Sequence, residues 1–181
     1  MVALVGICGS MRKASLNRAL LATVGETLPD GASLKILDGA VDLPIFNSDL
    51  PDPEKVTHIK AELAAAAGVV FAVPEYNYSI PGGLKNLLDW VSRPPASSPL
   101  RRKPVAMVGA ATGISGTIRA QLHLRSMMLY SDAAVLGQPE VHIPRAQERF
   151  DADGWLTDAS TRALLEKFGA AFVQLVAHHT P

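Results

Sequence analysis

Residues 69–91 read VVFAVPEYNYSIPGGLKNLLDWV. Val69 to Val73 form an unbroken apolar run, rich in β-branched side chains, that stops at Pro74. Such a run marks a short strand buried on both faces of a parallel sheet. Further on, Leu84, Leu87, Leu88 and Val91 fall at i, i+3, i+4 and i+7, the apolar stripe of an amphipathic helix. Between them lies a loop of Tyr, Asn, Pro and Gly. In open α/β sheets, ligands bind where such loops leave the carboxyl ends of strands. Aromatic and amide groups there suit a flat heteroaromatic ligand better than a naked phosphate.

A second strand–loop–helix unit opens the chain. Val2 to Ile7 is apolar, Gly9 to Asn17 reads GSMRKASLN, and Leu16, Leu20 and Val24 then begin a helical stripe. A Gly/Ser loop running into a helix start is an anion site. The first backbone N–H groups lack intrahelical partners, and the helix dipole favours negative charge there. Ser10, Ser15 and Asn17 add short donors, and Arg12 adds a guanidinium fork that matches phosphate oxygens. A phosphate monoester carries roughly −1.5 to −2 charge at neutral pH. A plainer reading stays open, in which Ser15 only caps the helix and Arg12 is a solvated surface charge.

Strand and helix patterns alternate along the rest of the chain. Ser33–Leu37 reads as a strand, Val56, Ile59 and Leu63 as a helix, Val105–Ala110 as a strand, and Ile118–Leu129 as a helix. Ala134–Leu136 is a last short strand, and Leu164, Leu165, Phe168, Phe172, Leu175 and Val176 mark a final helix capped at Thr157 or Asp158. Alternation of this kind implies a parallel sheet covered on both faces, in one domain spanning residues 1–181. No G-x-G-x-x-G follows a strand and no P-loop is present, so the common dinucleotide and nucleoside triphosphate motifs are missing. Gly113–Thr117, GISGT, misses the nucleophile elbow at its last residue, which argues against a serine hydrolase. The five histidines are scattered, so no metal site is expected.

Lys plus Arg and Asp plus Glu both number 17, so net charge gives no reason to expect nucleic acid or an anionic membrane as partner. The one cysteine, Cys8, closes an apolar strand and reads as core; a single thiol fits a reducing compartment, and a cytoplasmic location is expected. The first basic residues follow the apolar run instead of preceding it, unlike a secretory signal. The longest apolar stretch, Leu63 to Val73, is 11 residues, too short for membrane insertion.

Together the two loops resemble the NADPH-dependent FMN reductases of flavodoxin-like fold, and among them the quinone and chromate reductases. The family pattern G-S-x-R-x-x-S-x-N is met at residues 9–17, and P-E-Y-N-Y-S-x-P-G-x-L-K-N-x-x-D-W at 74–90. The likeness continues through Arg119-Ala120-Gln121, His123-Leu124-Arg125 and Pro139-Glu140. It implies a doubly wound five-stranded parallel sheet of order 2-1-3-4-5 with helices on both faces. It also implies bound FMN, NADPH or NADH as hydride donor, and quinones, chromate or similar small molecules as acceptors. By position, Ser10, Arg12, Ser15, Leu16 and Asn17 would hold the FMN phosphate. Pro74, Glu75, Tyr76, Asn77 and Tyr78 would meet the isoalloxazine ring and ribityl chain, largely through the backbone and the Asn77 amide. Ala111, Thr112 and Gly113 occupy a third flavin loop that usually reads S-x-G-x-x-G-G. Here the hydroxyl is missing at Ala111, and Thr117 stands where the second Gly belongs. No side chain is expected to act as a catalytic acid, because hydride chemistry belongs to the cofactor. Arg101-Arg102-Lys103 is either a solvated run or a contact for the donor's phosphates. The family forms dimers and tetramers, and the apolar residues Ile118, Leu122, Met127, Met128, Leu129 and Tyr130 on one helix fit a homodimer or homotetramer. The alternative from another class is a flavodoxin-type carrier whose FMN is reduced by a partner protein.

Overall fold

The computed structural model describes residues 1–179. Its strands are β1 Val2–Cys8, β2 Ala32–Ile36, β3 Gly68–Ala72, β4 Pro104–Ala110, β5 Ala134–Val135 and β6 Val141–Ile143. The helices are α1 Leu16–Glu26, α2 Glu54–Ala65, α3 Gly82–Val91, α4 Ile118–Met128 and α5 Ala159–His179. All strand pairings are parallel, in the expected order β2-β1-β3-β4-β5. A sixth strand was not anticipated. β6 pairs with the carboxyl half of β4 (Val108↔Val141, Ala110↔Ile143), while β5 pairs with its first residues (Pro104↔Ala134). The outer position of the sheet is therefore filled by two short pieces. β6 is three residues between Pro139 and Pro144, too short to show a period.

Burial explains which strands were easiest to see. Every residue of β3 and β4 is buried, whereas β2 at the edge exposes Ser33 and Lys35. Successive side chains point to opposite faces. Val69, Phe71, Val105 and Met107 pack on one face with Leu84, Leu87 and Leu124. Val70, Ala72, Ala106 and Val108 pack on the other with Leu20, Val24, Phe168 and Phe172. Burying one such large side chain contributes about 1.5–3 kcal/mol. Asp158 starts α5: its Oδ2 accepts from the Thr161 N–H at 2.7 Å and from Ser160 Oγ at 2.6 Å. These bonds, with Arg149 close by, hold its carboxyl well below the usual carboxylate range.

Register sets the functional edge. Cys8 lies opposite Ala72, and Ala72 opposite Val108, so β1 and β3 end level and β4 reaches slightly beyond. The loops that follow, residues 9–15, 73–81 and 111–117, leave this edge side by side.

Candidate active site

The first loop is pressed onto the second. Gly9 donates its N–H to the Ala72 carbonyl at 2.9 Å, and a Cβ at Gly9 would stand 2.8 Å from Pro74 Cδ, so no larger residue fits. Ser15 caps α1, its Oγ accepting from the Arg18 N–H at 3.3 Å. Ser10 Oγ accepts from the Arg12 N–H, also at 3.3 Å. The N–H groups of Leu16 and Asn17 lie in the first turn of α1, where the helix offers them no acceptor. Arg12 is exposed and makes no ion pair among the described residues. Asn17 differs from expectation. Its buried side-chain amide donates to the Ala110 carbonyl at 2.8 Å and accepts from the Ala110 N–H at 3.0 Å. The side chain thus ties α1 to the end of β4, and only its backbone N–H is left to meet an anion.

The second loop is a tight hairpin. Tyr76 and Ser79 exchange two backbone hydrogen bonds of 3.0 Å, and between them Asn77 (φ 50) and Tyr78 (φ 64) are both left-handed. Asn tolerates that region, but Tyr adopts it rarely. Arg119 steadies it, its guanidinium standing 4.4 Å from the Tyr78 ring centroid. Arg119 is in turn held by Glu75. One Glu75 oxygen accepts from Arg119 Nη1 at 3.0 Å and Ser115 Oγ at 3.2 Å; the other accepts from the N–H groups of Arg119 (3.0 Å) and Ala120 (3.3 Å). Burial pushes this carboxyl up, but the bonds from Ala120, Arg119 and Ser115 outweigh it and leave its pKa below the ordinary value. Glu75 therefore caps α4 with its side chain and has only its backbone free for a ligand. Its link to Arg119 is absent from the sequence pattern, because the two lie 44 residues apart. Asn86 and Trp90 anchor the long loop after β2 through Phe46 N–H and the Pro44 carbonyl, an architectural role.

The third loop shows what its departure from the family pattern means. Thr117 is fully buried with φ 71, a conformation that suits Gly, and its hydroxyl accepts from Gln121 Nε2 at 3.0 Å. A Cβ at Gly109 would lie 1.7 Å from that hydroxyl, so Gly109 and Thr117 are packed as a pair. Thr112 is exposed, and around Gly113 there is open space.

A cleft of ≈ 130 Å³ joins the three loops: Ser10, Arg12, Ser15, Leu16 and Asn17 from the first, Pro74, Glu75 and Tyr76 from the second, Ala111 and Thr112 from the third. Asn77, Tyr78 and Gly113 lie outside it, the first two at the hairpin tip. Through Arg12 and Tyr76 the cleft adjoins a wider cavity of ≈ 340 Å³ walled by Gly9, Met11, Val41 and Pro81–Gly83. Val41 and Met11 were missed, since neither sits in a periodic pattern. The run at 101–103 is at the other end of the sheet, before β4: Arg102 pairs with Asp132 at 3.2 Å, and Lys103 donates to the Ala64 and Ala66 carbonyls. Among the described residues no three His, Cys, Asp or Glu side chains are grouped to hold a metal, and no helix is long and apolar enough to cross a membrane.

A parallel sheet of this order with three loops lining one cleft at its carboxyl edge is a flavodoxin-like arrangement, and comparisons narrow this. The chain superimposes on the flavoenzyme NAD(P)H:(acceptor) oxidoreductase FerB of Paracoccus denitrificans with a TM-score of 0.90 and 32% identity, covering 99% of each chain. It is 41% identical over 169 residues to an NAD(P)H-dependent FMN reductase of Pseudomonas aeruginosa (92% of this chain, 90% of that one). It is 37% identical over 164 residues to a 2-hydroxy-1,4-benzoquinone reductase of a Burkholderia species (90% and 89%). The NADPH-dependent FMN reductase family profile matches residues 2–148, and the chain belongs to that family.

Proposed function

We propose that this single-domain enzyme uses NAD(P)H to reduce quinones through FMN held at the three-loop cleft. The observation that carries the reading is the convergence of an unpaired Arg12, the open first turn of α1 and the third-loop hydroxyl of Thr112 on one cleft beside a wider cavity. This arrangement fits FMN. The cleft offers cationic and N–H donors to a dianion, and the cavity beside it is walled largely by Met11, Val41, Tyr76 and Pro81. Open space around Gly82 leaves room for a flat ring. Bound FMN supplies the hydride-accepting and electron-donating chemistry. Arg12, Ser10, Ser15 and the N–H groups of Leu16 and Asn17 hold the phosphate. The backbone of residues 74–78 meets the ring and ribityl chain, kept rigid by Glu75 and Arg119.

Absorbance of the purified protein together with NADPH oxidation in the presence of a benzoquinone tests this reading. A colourless protein, or a flavoprotein that NADPH cannot reduce without a partner, would overturn it; the latter is the behaviour of a flavodoxin-type carrier. Chromate belongs in the same acceptor panel, and turnover is expected there too. With one flavin face serving donor and acceptor in turn, double-reciprocal initial-rate plots should be parallel; intersecting lines would replace the shared face with a ternary complex.

We also infer a homodimer joined through α4, supported by the exposure of Ile118 and Leu122 on that helix. A tetramer would need a second such face. A cytoplasmic location is supported by the free thiol of Cys8; recovery of the protein from the periplasmic or membrane fraction of cells would contradict it.

A further inference from the structure

The cleft assigned to the FMN phosphate is not closed at its outer end. Ser15 and Leu16, which line it, also line a groove of ≈ 360 Å³ on the outer side of α1. The groove begins at Lys13 and follows the helix to Glu26, about 16 Å at 1.5 Å per residue. Its floor includes Ala19 and Ala22, two small side chains on one helical face, and its opposite wall is the turn at 151–155. That turn is rooted in the core by the buried pair Phe150 and Leu156, and Asp151 donates its N–H to the Trp155 carbonyl at 2.9 Å. Asp151 Oδ1 accepts from the N–H groups of Asp153 at 3.0 Å and Trp155 at 2.8 Å. The backbone of Trp155 is thus fixed, yet the residue is 62% exposed. Among the described residues no aromatic ring packs on its indole.

Charge decides what kind of group fits. Lys13 stands at the cleft end and Arg18 is bonded to Asp38, while Glu26, Asp151 and Asp153 line the rest. Cations do not outnumber acids, so the groove suits a neutral group rich in hydroxyl and amino donors. A base stacks on an aromatic wall without needing charge, and carboxylates accept from ribose hydroxyls in dinucleotide-binding α/β folds. A nucleoside whose phosphate lies at the cleft meets both terms, and a flavin can carry one. In FAD the flavin phosphate is joined to an adenylate, and each of its two phosphates keeps a single charge. The total does not exceed that of the FMN monoester, roughly −1.5 to −2, so the cleft needs no further cation. We propose that the groove along α1 binds the adenosine of FAD, with the base on Trp155 and the ribose hydroxyls toward Asp151 and Asp153. The protein then takes FAD as well as FMN. This rests on the reading of the cleft as a flavin phosphate site. The hydride donor also carries an adenylate, but the groove joins the cleft at Ser15 and Leu16, where the flavin's own phosphate is held.

The test is titration of the full-length apoprotein with FMN and with FAD, followed by flavin fluorescence. FAD is expected to bind at least as tightly as FMN. Trp155→Ala should weaken FAD roughly five- to hundredfold, the range for losing a base stacked on an aromatic ring, and leave FMN affinity unchanged. Ala22→Leu fills the groove floor with a good helix former and should act in the same selective way without touching the turn. FAD binding weaker than FMN binding by about tenfold or more, or a loss shared by both flavins in these variants, overturns the proposal. If the groove serves the hydride donor instead, Trp155→Ala raises KM for NADH in the FMN-loaded enzyme and leaves FAD affinity unaltered, which overturns it as well. FMN binding without FAD binding defeats this proposal alone, whereas a wild-type protein that binds neither flavin defeats the earlier reading and this one with it.

Discussion

Arg12 and Glu75 are both charged residues of the candidate site, and their surroundings assign them different work. Arg12 has no partner in the protein and stands at the open end of α1, so its interaction energy is available to a bound anion. Arg12→Ala should weaken FMN binding by about tenfold or more, the loss expected for a charge-assisted contact. Titration of apoprotein by flavin fluorescence measures this, and an unchanged dissociation constant would remove Arg12 from the phosphate site. Glu75, with a side chain only 8% exposed, spends both oxygens on α4. Glu75→Gln should cost about 0.5–2 kcal/mol, the range for losing a helix cap. The pH dependence follows from the sign of its shift. A carboxyl whose folded pKa is depressed stabilises above its unfolded pKa, and that stability is lost as pH falls through the folded value. The gap between wild type and Glu75→Gln in urea unfolding should therefore be full at pH 7 and narrow progressively below the ordinary Glu value of 4.5. A gap that stays constant down to acid pH would mean that the charge is irrelevant and only shape matters.

At the scale of elements, the join between β4 and α4 rests on Gly109 and Thr117. Gly109→Ala would drive a methyl into the Thr117 hydroxyl and the Gln121 amide, overpacking that costs about 1–3 kcal/mol or more. Thr117→Gly removes the hydroxyl and relieves the left-handed backbone, worth about 1–2 kcal/mol. In the double variant the penalty of Gly109→Ala should shrink by at least about 1 kcal/mol, a coupling that denaturant melts can resolve. Strict additivity would show that the two positions do not share space. This pair also shows where sequence reading stops. The buried strands β3 and β4 and the helix α3 were legible, because burial on both sides writes continuous or periodic apolar runs. The first strand–loop–helix unit was legible because an apolar run, a Gly/Ser loop and a helical stripe follow one another, with Ser15 at the cap. Thr117's left-handed backbone, the Asn17 clasp on Ala110 and the Glu75–Arg119 bond were not, because each depends on a neighbour brought in by the fold. β6 escaped for a different reason: three residues between two prolines carry no pattern of their own.

At the scale of the whole molecule, what α4 leaves uncovered decides assembly. Ile118, Leu122 and Leu129 are 41%, 53% and 81% exposed, and Tyr130 beside them is 58% exposed. Met128, expected on the same outer surface, is instead buried in the core, and Tyr130 accepts a hydrogen bond from Arg93 at 2.7 Å. The outer face is thus narrower than the sequence suggested, yet it still gathers apolar side chains of a kind that monomers seldom leave together in water. Arg119 and Glu140, the charged residues nearest this stripe in the sequence likeness, have partners within this chain: Glu75 for the first, Arg125 and His142 for the second. With those two charges paired internally, a dimer formed through α4 is expected to rest on the apolar stripe. A stable dimer would bury about 1,200 Å² or more, with Leu122 near its centre. Light scattering at micromolar protein should give twice the 19.2 kDa of one chain. Leu122→Glu, which places a charge in that stripe without touching the core, should give the single-chain mass with its circular dichroism unchanged. If the dimer also supports the Tyr78 hairpin through Arg119, the monomeric variant should lose FMN affinity as well. A wild-type protein that scatters as one chain while fully active would refute both the shared face and its link to the site.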